Sequence, residues 1–276
     1  MGRCFIAIVL FLIPGCPWAA GDFIVAGGRP AGMGYTGVSG TGLWSVCNNP
    51  AGMAFGKGLE AGIYGENRFL LPDLTSGILA VTFGSKAGAF GAYACRFGSA
   101  AYHELKAAGG YARRFGKKFS AGVLIDYIGI GQPDLYGDLH LVSFEAGMMF
   151  LPDHKWSLGI HLLNPVPVWL NSERTAKLPV IFRAGVSRNF AGKAILATEI
   201  EAATGTGIVV RAGIEYAVHA HFFLRTGYVS DPHTVTAGAG IAAGKLRIDL
   251  ASSWQPVLGY SAQVSVEYRI GVKNEE

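Results

Sequence analysis

The stretch YSAQVSVEYRI, residues 260–270, decides the fold because its side chains alternate in polarity at every step. One set of alternate positions is apolar or aromatic: Tyr260, Ala262, Val264, Val266, Tyr268 and Ile270. The other set is polar: Ser261, Gln263, Ser265, Glu267 and Arg269. A period of two predicts a β-strand, and one oily face opposite one wet face is typical of a strand in the wall of a transmembrane barrel.

The same alternation recurs along the chain, clearly in residues 119–127, 207–216 and 245–254. Counting such runs predicts an all-β fold, a transmembrane antiparallel β-barrel of about fourteen strands; an even number is usual in single-chain bacterial barrels. The predicted strands are 57–67, 74–84, 86–97, 102–114, 117–130, 137–151, 154–164, 178–190, 192–203, 206–218, 220–230, 233–243, 245–255 and 258–271.

The connections between these strands alternate in length. Every second one is a tight turn such as GSKAG, FGKK or FAGK, and the longer ones include NRFLLPDLTS and NPVPVWLNSERTAKLP. Outer-membrane barrels have short periplasmic turns and longer external loops. We therefore expect the tight turns and both ends of the exported chain on the periplasmic side.

Aromatic residues near strand ends support a membrane wall. Phe119 and Tyr127 lie eight positions apart, as do Tyr260 and Tyr268. In a tilted strand this separation spans about 20 Å, close to the height of the apolar band of such barrels. The alternative is that these rings fill the core of a soluble β-protein, which accounts less well for their places at strand ends.

Composition points the same way. Half of the 276 residues are hydrophobic and 40 are glycine, and the mean hydropathy is +0.33. No run after residue 21 is long and uncharged enough for a spanning helix, and so much glycine disfavours helices. A closed barrel is the remaining way for such a chain to satisfy its backbone in lipid. The net charge of +4 is too small to indicate a nucleic-acid partner.

Residues 1–21 are typical of a cleavable export signal, which predicts a bacterial outer-membrane protein surrounded by outer-membrane lipid. Arg3 precedes an apolar run over 4–14, and residues 19–21 are small. Lipidation of Cys16 is the alternative, which the flanking Pro14 and Pro17 disfavour. The predicted division is a signal peptide over 1–21, a glycine-rich plug segment over 22–56 and the barrel over 57–276.

The plug segment carries two motifs. The first is glycine-rich and contains Gly32, Met33 and Gly34; the second, NNPAG, comprises Asn48, Asn49, Pro50, Ala51 and Gly52. Glycine allows close backbone approach, Pro50 is expected to hold Asn49 extended, and the Asn side chains can bond nearby backbone. Such irregular backbone is tolerated at membrane depth only inside a protein or a wet lumen.

These motifs resemble the start of the FadL-type fatty-acid-transporter barrels and of their PorV/PorQ-type relatives. The resemblance implies a fourteen-stranded barrel whose N-terminal segment plugs the lumen. It also implies passive transport or a channel for small hydrophobic or amphiphilic compounds, with a hydrophobic small molecule in the lumen. The alternative is a non-enzymatic scaffold or accessory subunit, with a secretion-complex protein as partner. The short loops argue against long-chain fatty acid as the substrate.

The predicted inner face carries charges of both signs, mostly on the later strands. They are Asp126, Glu145, Arg183, Glu199, Glu201, Arg211, Glu215, Arg225, Arg247, Asp249, Glu267 and Arg269. In a structural interpretation they pair and cross-link neighbouring strands, since buried ionisable groups need partners. In a functional interpretation they form a conduction path or a docking surface for the plug. Neutral Leu124, Ile128 and Val209 leave room for a mixed pocket.

Catalytic signals are weak, and we predict no enzyme activity, cofactor or metal. The chain lacks G-x-S-x-G and a cysteine spacing for zinc. His219 and His221 form an H-x-H in a predicted turn without a supporting carboxylate or cysteine cluster. Ser157 and His161 lie four residues apart on one strand, about 13 Å, too far for a dyad. Cys47 and Cys95 could pair; unpaired thiols are the favoured interpretation.

Overall fold

The computed structural model describes residues 25–132, 137–170 and 177–270; the predicted signal peptide therefore lies outside the described residues. Fourteen strands form the described wall, which confirms the predicted number and order. They are β1 Gly58–Asn67, β2 Thr75–Gly84, β3 Ala89–Gly98, β4 His103–Phe115, β5 Phe119–Gln132, β6 Gly137–Phe150, β7 Trp156–Leu163, β8 Ile181–Phe190, β9 Ala194–Ala203, β10 Ile208–His219, β11 Phe222–Ser230, β12 His233–Ala243, β13 Leu246–Gln255 and β14 Gly259–Ile270.

Each strand pairs antiparallel with its neighbours in sequence, and β1 pairs with β14 to close the barrel. At the closure Ile63 lies opposite Val266, and the register runs without a break from Leu59 to Asn67. The ring of described strands is closed, so ladder hydrogen bonds satisfy most of its backbone without water. At the loop end β6 extends past β7, because β7 pairs only with residues 145–150 of β6.

Side chains alternate across the wall as the sequence predicts, with the apolar face turned outward. Ile125 on β5 is 68% exposed, whereas the next residue, Asp126, is fully buried. Large apolar and aromatic side chains cover the outside from β1 to β14, among them Ile63, Tyr127, Ile208, Trp254 and Tyr268. This inverts the pattern of a soluble β-protein. Within the described residues, no helix has both the length and the apolar character needed to cross a membrane.

The two ends of the barrel differ in their connections. At the turn end the strands are joined by 85–88, 116–118, 151–155, 191–193, 220–221 and 244–245; at the loop end the longest connection runs from 164 to 180. In that loop Leu178 donates its N–H to the carbonyl of Val168 at 2.9 Å, and Trp169 bridges Lys177. Residues 171–176 lie outside the described residues.

The chain before β1 folds into short helical pieces that the sequence did not predict: α1 Gly28–Gly32, α2 Ser45–Asn48 and a 3-10 helix Pro50–Phe55. Further 3-10 turns, Arg68–Leu70 and Pro72–Leu74, lie between β1 and β2. Asn49 is extended (φ −170°, ψ 104°) and its side chain accepts a hydrogen bond from the N–H of Ala51. Pro50 therefore acts on its neighbour as expected, and Asn49 caps the 3-10 helix.

Candidate functional site

The described N-terminal segment, residues 25–56, lies inside the barrel. Helix α1 packs against the inner faces of β12, β13 and β14, and the 3-10 helix packs against β4, β5 and β6. The segment thus crosses from one wall to the other. Its backbone finds partners in the walls, as buried polar groups require.

Wall side chains hold the glycine-rich part by its backbone. Ser265 accepts from the N–H of Gly28 at 2.9 Å, and Thr236 accepts from the N–H of Gly34 at 2.9 Å. Gly34 has a φ of +66°, and a Cβ there would lie 2.5 Å from the carbonyl oxygen of Ala212. Only glycine combines this conformation with so close an approach to the wall.

The NNPAG motif joins the segment to itself and to β5 and β6. The amide of Asn49 donates to the carbonyls of Val38 at 2.7 Å and Met148 at 3.2 Å. Asn48 bonds both backbone groups of Ala26, and the hydroxyl of Ser120 donates to the carbonyl of Ala51 at 2.9 Å. Asn48, Asn49, Pro50, Ala51 and Gly52 are all buried. The motif therefore connects the start of the segment at Ala26, its middle at Val38, and the wall at β5 and β6.

One side of the segment is apolar and faces the early strands. Trp44 meets the ring of Tyr64 edge to face at a centroid distance of 6.1 Å. The buried cluster around them joins segment residues to inward side chains of β1–β5; it comprises Ala26, Leu43, Trp44, Val46, Cys47, Met53, Tyr64, Ile78, Ala80, Ala89, Tyr93, Cys95, Ala108, Ala112 and Leu124. This contact removes a large apolar area from water and fastens the segment to that wall.

The opposite side of the segment meets a chain of charges on β10–β14. Arg29 forms two hydrogen bonds to Glu215, Nε–Oε2 at 2.9 Å and Nη2–Oε1 at 2.8 Å. Glu215 also accepts from Nε of Arg225 at 2.6 Å. Arg225 pairs with Asp249 at 2.8 Å, which pairs with Arg247 at 2.9 Å. Opposite signs follow one another, so each buried charge has a partner.

A second network lies on β8–β10 around Glu199. Arg183 binds Glu199 through Nε at 2.7 Å and through Nη2. Arg211 contacts Glu199 at 3.3 Å and Glu201 at 2.6 Å. The other oxygen of Glu199 accepts the N–H groups of Gly37 and Val38, each at 3.0 Å. One carboxylate therefore links two wall arginines to the N-terminal segment.

A third network centres on Glu145 of β6 and includes residues that the sequence analysis missed. Lys106 lies 2.6 Å from Glu145 and 3.7 Å from Asp126. His161 Nε2 lies 2.8 Å from Glu145, and Tyr93 donates to the same carboxylate at 3.3 Å. Lys106 escaped notice because the small residues that follow it on β4 weaken the alternation, although its even-numbered position predicts an inward side chain.

Most of the sequence-selected charges are buried on the inner face. These are Asp126, Glu145, Arg183, Glu199, Glu201, Arg211, Glu215, Arg225, Asp249 and Glu267. Arg247 is partly exposed, and Arg269, near the turn end, is exposed and lies 3.2 Å from Glu60. Glu60 and Glu66 on β1 are also buried. Both occupy even-numbered positions of β1, whereas the outward Ile63 occupies an odd-numbered one. This alternation is the signal by which they could have been found.

The loop end of the lumen contains a separate apolar cluster. Ile128 and Ile130 of β5, Leu141 of β6 and Leu178 of the long loop are its buried members. Tyr102, Leu139, Val168 and Leu170 pack against them. The long loop therefore packs Val168, Leu170 and Leu178 inward against the wall, whereas Val166 and Trp169 are exposed. Of the neutral residues noted in the sequence, Leu124, Ile128 and Val209 are all buried.

A cavity of about 640 Å³ opens at the turn end beneath the N-terminal segment. The segment forms its roof with Met33, Leu43 and Trp44, and the wall contributes Asp249 and Glu267. The lining therefore combines apolar and charged groups, and the N-terminal segment separates it from the apolar cluster at the loop end.

The candidate catalytic residues have structural partners. Ser157 donates to the carbonyl of Ser39 at 2.7 Å, whereas His161 binds Glu145. His219 ends β10, one residue beyond the predicted strand, and its ring lies 5.6 Å from that of His221. The described residues contain no group of three or more potential metal ligands. Cys47 and Cys95 are buried free thiols.

The fold is shared with solved outer-membrane transport barrels. The chain is similar to the toluene transporter TodX of P. putida, with a TM-score of 0.68 and 13% identity over 91% of this chain and 100% of that chain. It is similar to the monoaromatic hydrocarbon channel CymD, with a TM-score of 0.69 and 14% identity over 92% and 100% of the two chains. A FadL homologue of Pseudomonas aeruginosa gives 0.64 and 14% over 88% and 98%.

No protein-family model matches the chain, and no curated protein matches it. The structural likeness at these identities establishes the fold, a FadL-type fourteen-stranded barrel. Substrate and partners have to be argued from the side chains.

Proposed function

We propose that the protein is a passive transporter of small hydrophobic or amphiphilic compounds in a bacterial outer membrane. The outward apolar surface is the lipid-facing face of the barrel. The turn end faces the periplasm and the loop end faces outward, since short periplasmic turns are usual in such barrels.

The observation that carries the proposal is the apolar cluster around Ile128, Ile130 and Leu178 at the loop end of the lumen. Buried aliphatic side chains at the entrance do not favour the binding of ions or sugars, because these solutes are polar. An apolar compound leaving water gains about 25 cal/mol for every Å² of apolar surface that it buries there. TodX is a toluene transporter and CymD a monoaromatic hydrocarbon channel, which makes monoaromatic compounds the first class to test.

In this proposal residues 22–56 are the plug, with the motif residues Gly32, Met33, Gly34 and 48–52 as its fixed points. The charges on β8–β14 serve as the docking surface for the plug. A wall of paired charges offers an apolar compound no favourable contact, so passage requires the apolar contact between the segment and β1–β5 to open. Movement of the plug requires breaking hydrogen bonds to Glu199 and Glu215, which makes these two carboxylates the control points.

Uptake of radiolabelled toluene tests the proposal. The protein is expressed in cells that have an intact lipopolysaccharide leaflet and lack their own hydrocarbon transporter, and initial uptake is compared with that of empty cells. We expect faster uptake with the wild type, and uptake near the background with Leu178→Gln. Leu71→Gln, in an exposed loop position, is the matched control and keeps the wild-type rate.

Uptake equal to that of empty cells, with the barrel correctly folded by heat-modified electrophoretic mobility, contradicts the proposal. The alternative role, an accessory subunit of a secretion or envelope complex, makes a different prediction. A pull-down in mild detergent would then return a stoichiometric partner protein. The short loop-end connections 99–102 and 231–232 favour this alternative, because they offer little surface for capturing a ligand.

A further inference from the structure

The outer wall bears an apolar groove of about 690 Å³ that runs over β5–β10. Its sides are formed by outward side chains such as Phe119, Phe150, Leu158, Val186 and Ile200, with the small Ala184 between them. The groove belongs to the lipid-facing surface, because the same alternation that turns Glu199 inward turns Ile200 outward.

An arginine lies at the turn end of this groove. Arg188 follows Val186 on the outward face of β8 at a distance of about 7 Å along the strand and is exposed. Its guanidinium lies over the rings of Trp156, at 4.9 Å, and Phe190, at 4.7 Å. Among the described residues no carboxylate pairs with Arg188, so the two rings orient it while its donors point to the surroundings.

The turn end of the barrel as a whole is basic. Arg113, on the outward face of β4, is also exposed and pairs with no described carboxylate. The six turns at this end carry the exposed residues Lys86, Lys117, Lys118, Lys155, Lys193 and Lys245, and Asp153 is their single exposed acidic residue. Two of these turns are fixed beside the groove, since Lys118 and Lys155 accept backbone hydrogen bonds from Leu151 and Asn189, each at 2.7 Å.

We infer that the groove and Arg188 bind an anionic glycerophospholipid, with an acyl chain in the groove and the phosphate at Arg188. The inference rests on the membrane placement proposed above. Guanidinium groups bind phosphate oxygens through paired hydrogen bonds, and aromatic residues with nearby lysines mark the headgroup level of a membrane. Basic residues there attract anionic lipid. A lipid fits better than a protein because the groove is continuous with the apolar surface around it.

The test compares lipid retention by purified, delipidated protein in native mass spectrometry. The protein is incubated with phosphatidylglycerol or with phosphatidylcholine of the same acyl chains. We expect about fivefold greater retention of phosphatidylglycerol, the effect of roughly one basic residue on anionic lipid. Arg188→Gln removes this preference, whereas Lys245→Gln, a charge-matched change in a remote turn, preserves it.

Two further arms separate the contributions. Ala184→Phe fills the groove without changing charge, and we expect it to lower the retention of both lipids while leaving the preference intact. Excess inorganic phosphate should not release the bound lipid, because the groove holds the acyl chain. Equal retention of the two lipids, or equal losses in Arg188→Gln and Lys245→Gln, overturns the inference.

The two proposals fail in different ways. If the folded barrel is soluble without detergent, the membrane placement and the proposed function are wrong. If it inserts, supports toluene uptake and shows no preference for phosphatidylglycerol, the lipid site alone is wrong.

Discussion

Arg29 of the N-terminal segment and Glu215 of β10 form a paired hydrogen bond, with Nε–Oε2 at 2.9 Å and Nη2–Oε1 at 2.8 Å. Glu215 is simultaneously held by Arg225 within the wall at 2.6 Å. The wall can therefore keep Glu215 satisfied when Arg29 leaves, whereas Arg29 has to find another partner or water. This asymmetry makes the pair a releasable attachment of the segment.

Replacing Arg29 by Gln should loosen the segment without unfolding the barrel. The lost pair is worth about 1–2 kcal/mol, because Arg29 is partly exposed and Arg225 still compensates Glu215. A loss of 1.4 kcal/mol is about a tenfold shift in the docked population. Planar-bilayer recordings should show more frequent channel openings than recordings of the wild type. The control is Lys193→Gln in an exposed turn, and identical recordings for both variants would refute the releasable attachment.

Glu199→Gln should be much more costly. It leaves Arg183 and Arg211 with one partner fewer and removes the charge that accepts two N–H groups of the segment. Breaking a buried ion pair costs about 3–5 kcal/mol. Guanidinium unfolding in detergent, followed by circular dichroism, should show a clear fall in the midpoint. Asp231→Asn, the same change at an exposed loop position, should leave the midpoint unchanged. A midpoint for Glu199→Gln equal to that control would show that the network contributes no stability.

Asn49→Ala should detach the NNPAG motif from β6. Three hydrogen bonds are lost, to Val38, Met148 and Ala51, and buried backbone groups are left unsatisfied at about 1–3 kcal/mol each. Limited proteolysis should then cut within residues 25–56 under conditions that leave the wild type intact. Asn189→Ala, which loses a bond within a surface turn, is the control. Cleavage at equal rates in both variants would show that Asn49 does not hold the segment to the wall.

The two thiols should be inert in the folded protein. Burial raises the pKa of the Cys47 thiol well above its ordinary value, so the reactive thiolate is scarce at neutral pH. As the pH rises, maleimide labelling of the unfolded protein should therefore accelerate at a lower pH than labelling of Cys47 in the folded protein. We expect no labelling of Cys47 and Cys95 in native protein at pH 7 and labelling of both after denaturation; Cys4 and Cys16 belong to the predicted signal peptide and are absent from the exported chain. Native labelling, or a disulfide in non-reducing electrophoresis, would contradict the buried free state.

The number of strands could be predicted from the sequence because each strand has one face toward lipid and one toward the interior of the barrel. A residue such as Ile125 has to face lipid and its neighbour Asp126 the interior, so the polarity of successive residues reports the wall directly. Tight turns mark the ends of strands in the same local way. The conformations of Asn49 and Pro50 were likewise predictable, since proline restricts its neighbour through short-range contacts.

The hydrogen bonds and ion pairs between the N-terminal segment and the wall could not be predicted from the sequence. The sequence places Glu199 and Glu215 on the inner face, but it does not say that one holds the backbone of Val38 and the other the side chain of Arg29. Those contacts join residues more than 160 positions apart. The inward fold of Leu178 onto Ile128 and Ile130 was hidden for the same reason, because the long loop has no periodic pattern.

The sequence by itself thus determined an alternating wall of fourteen strands and the face of the charges on its clearly alternating strands, because these depend on neighbours one or two residues away. Only the tertiary structure decided how the N-terminal segment is held, with its apolar side on β1–β5 and its polar side on β8–β14. That choice depends on which distant side chains closure brings within hydrogen-bonding distance, and barrel closure is a property of the whole chain.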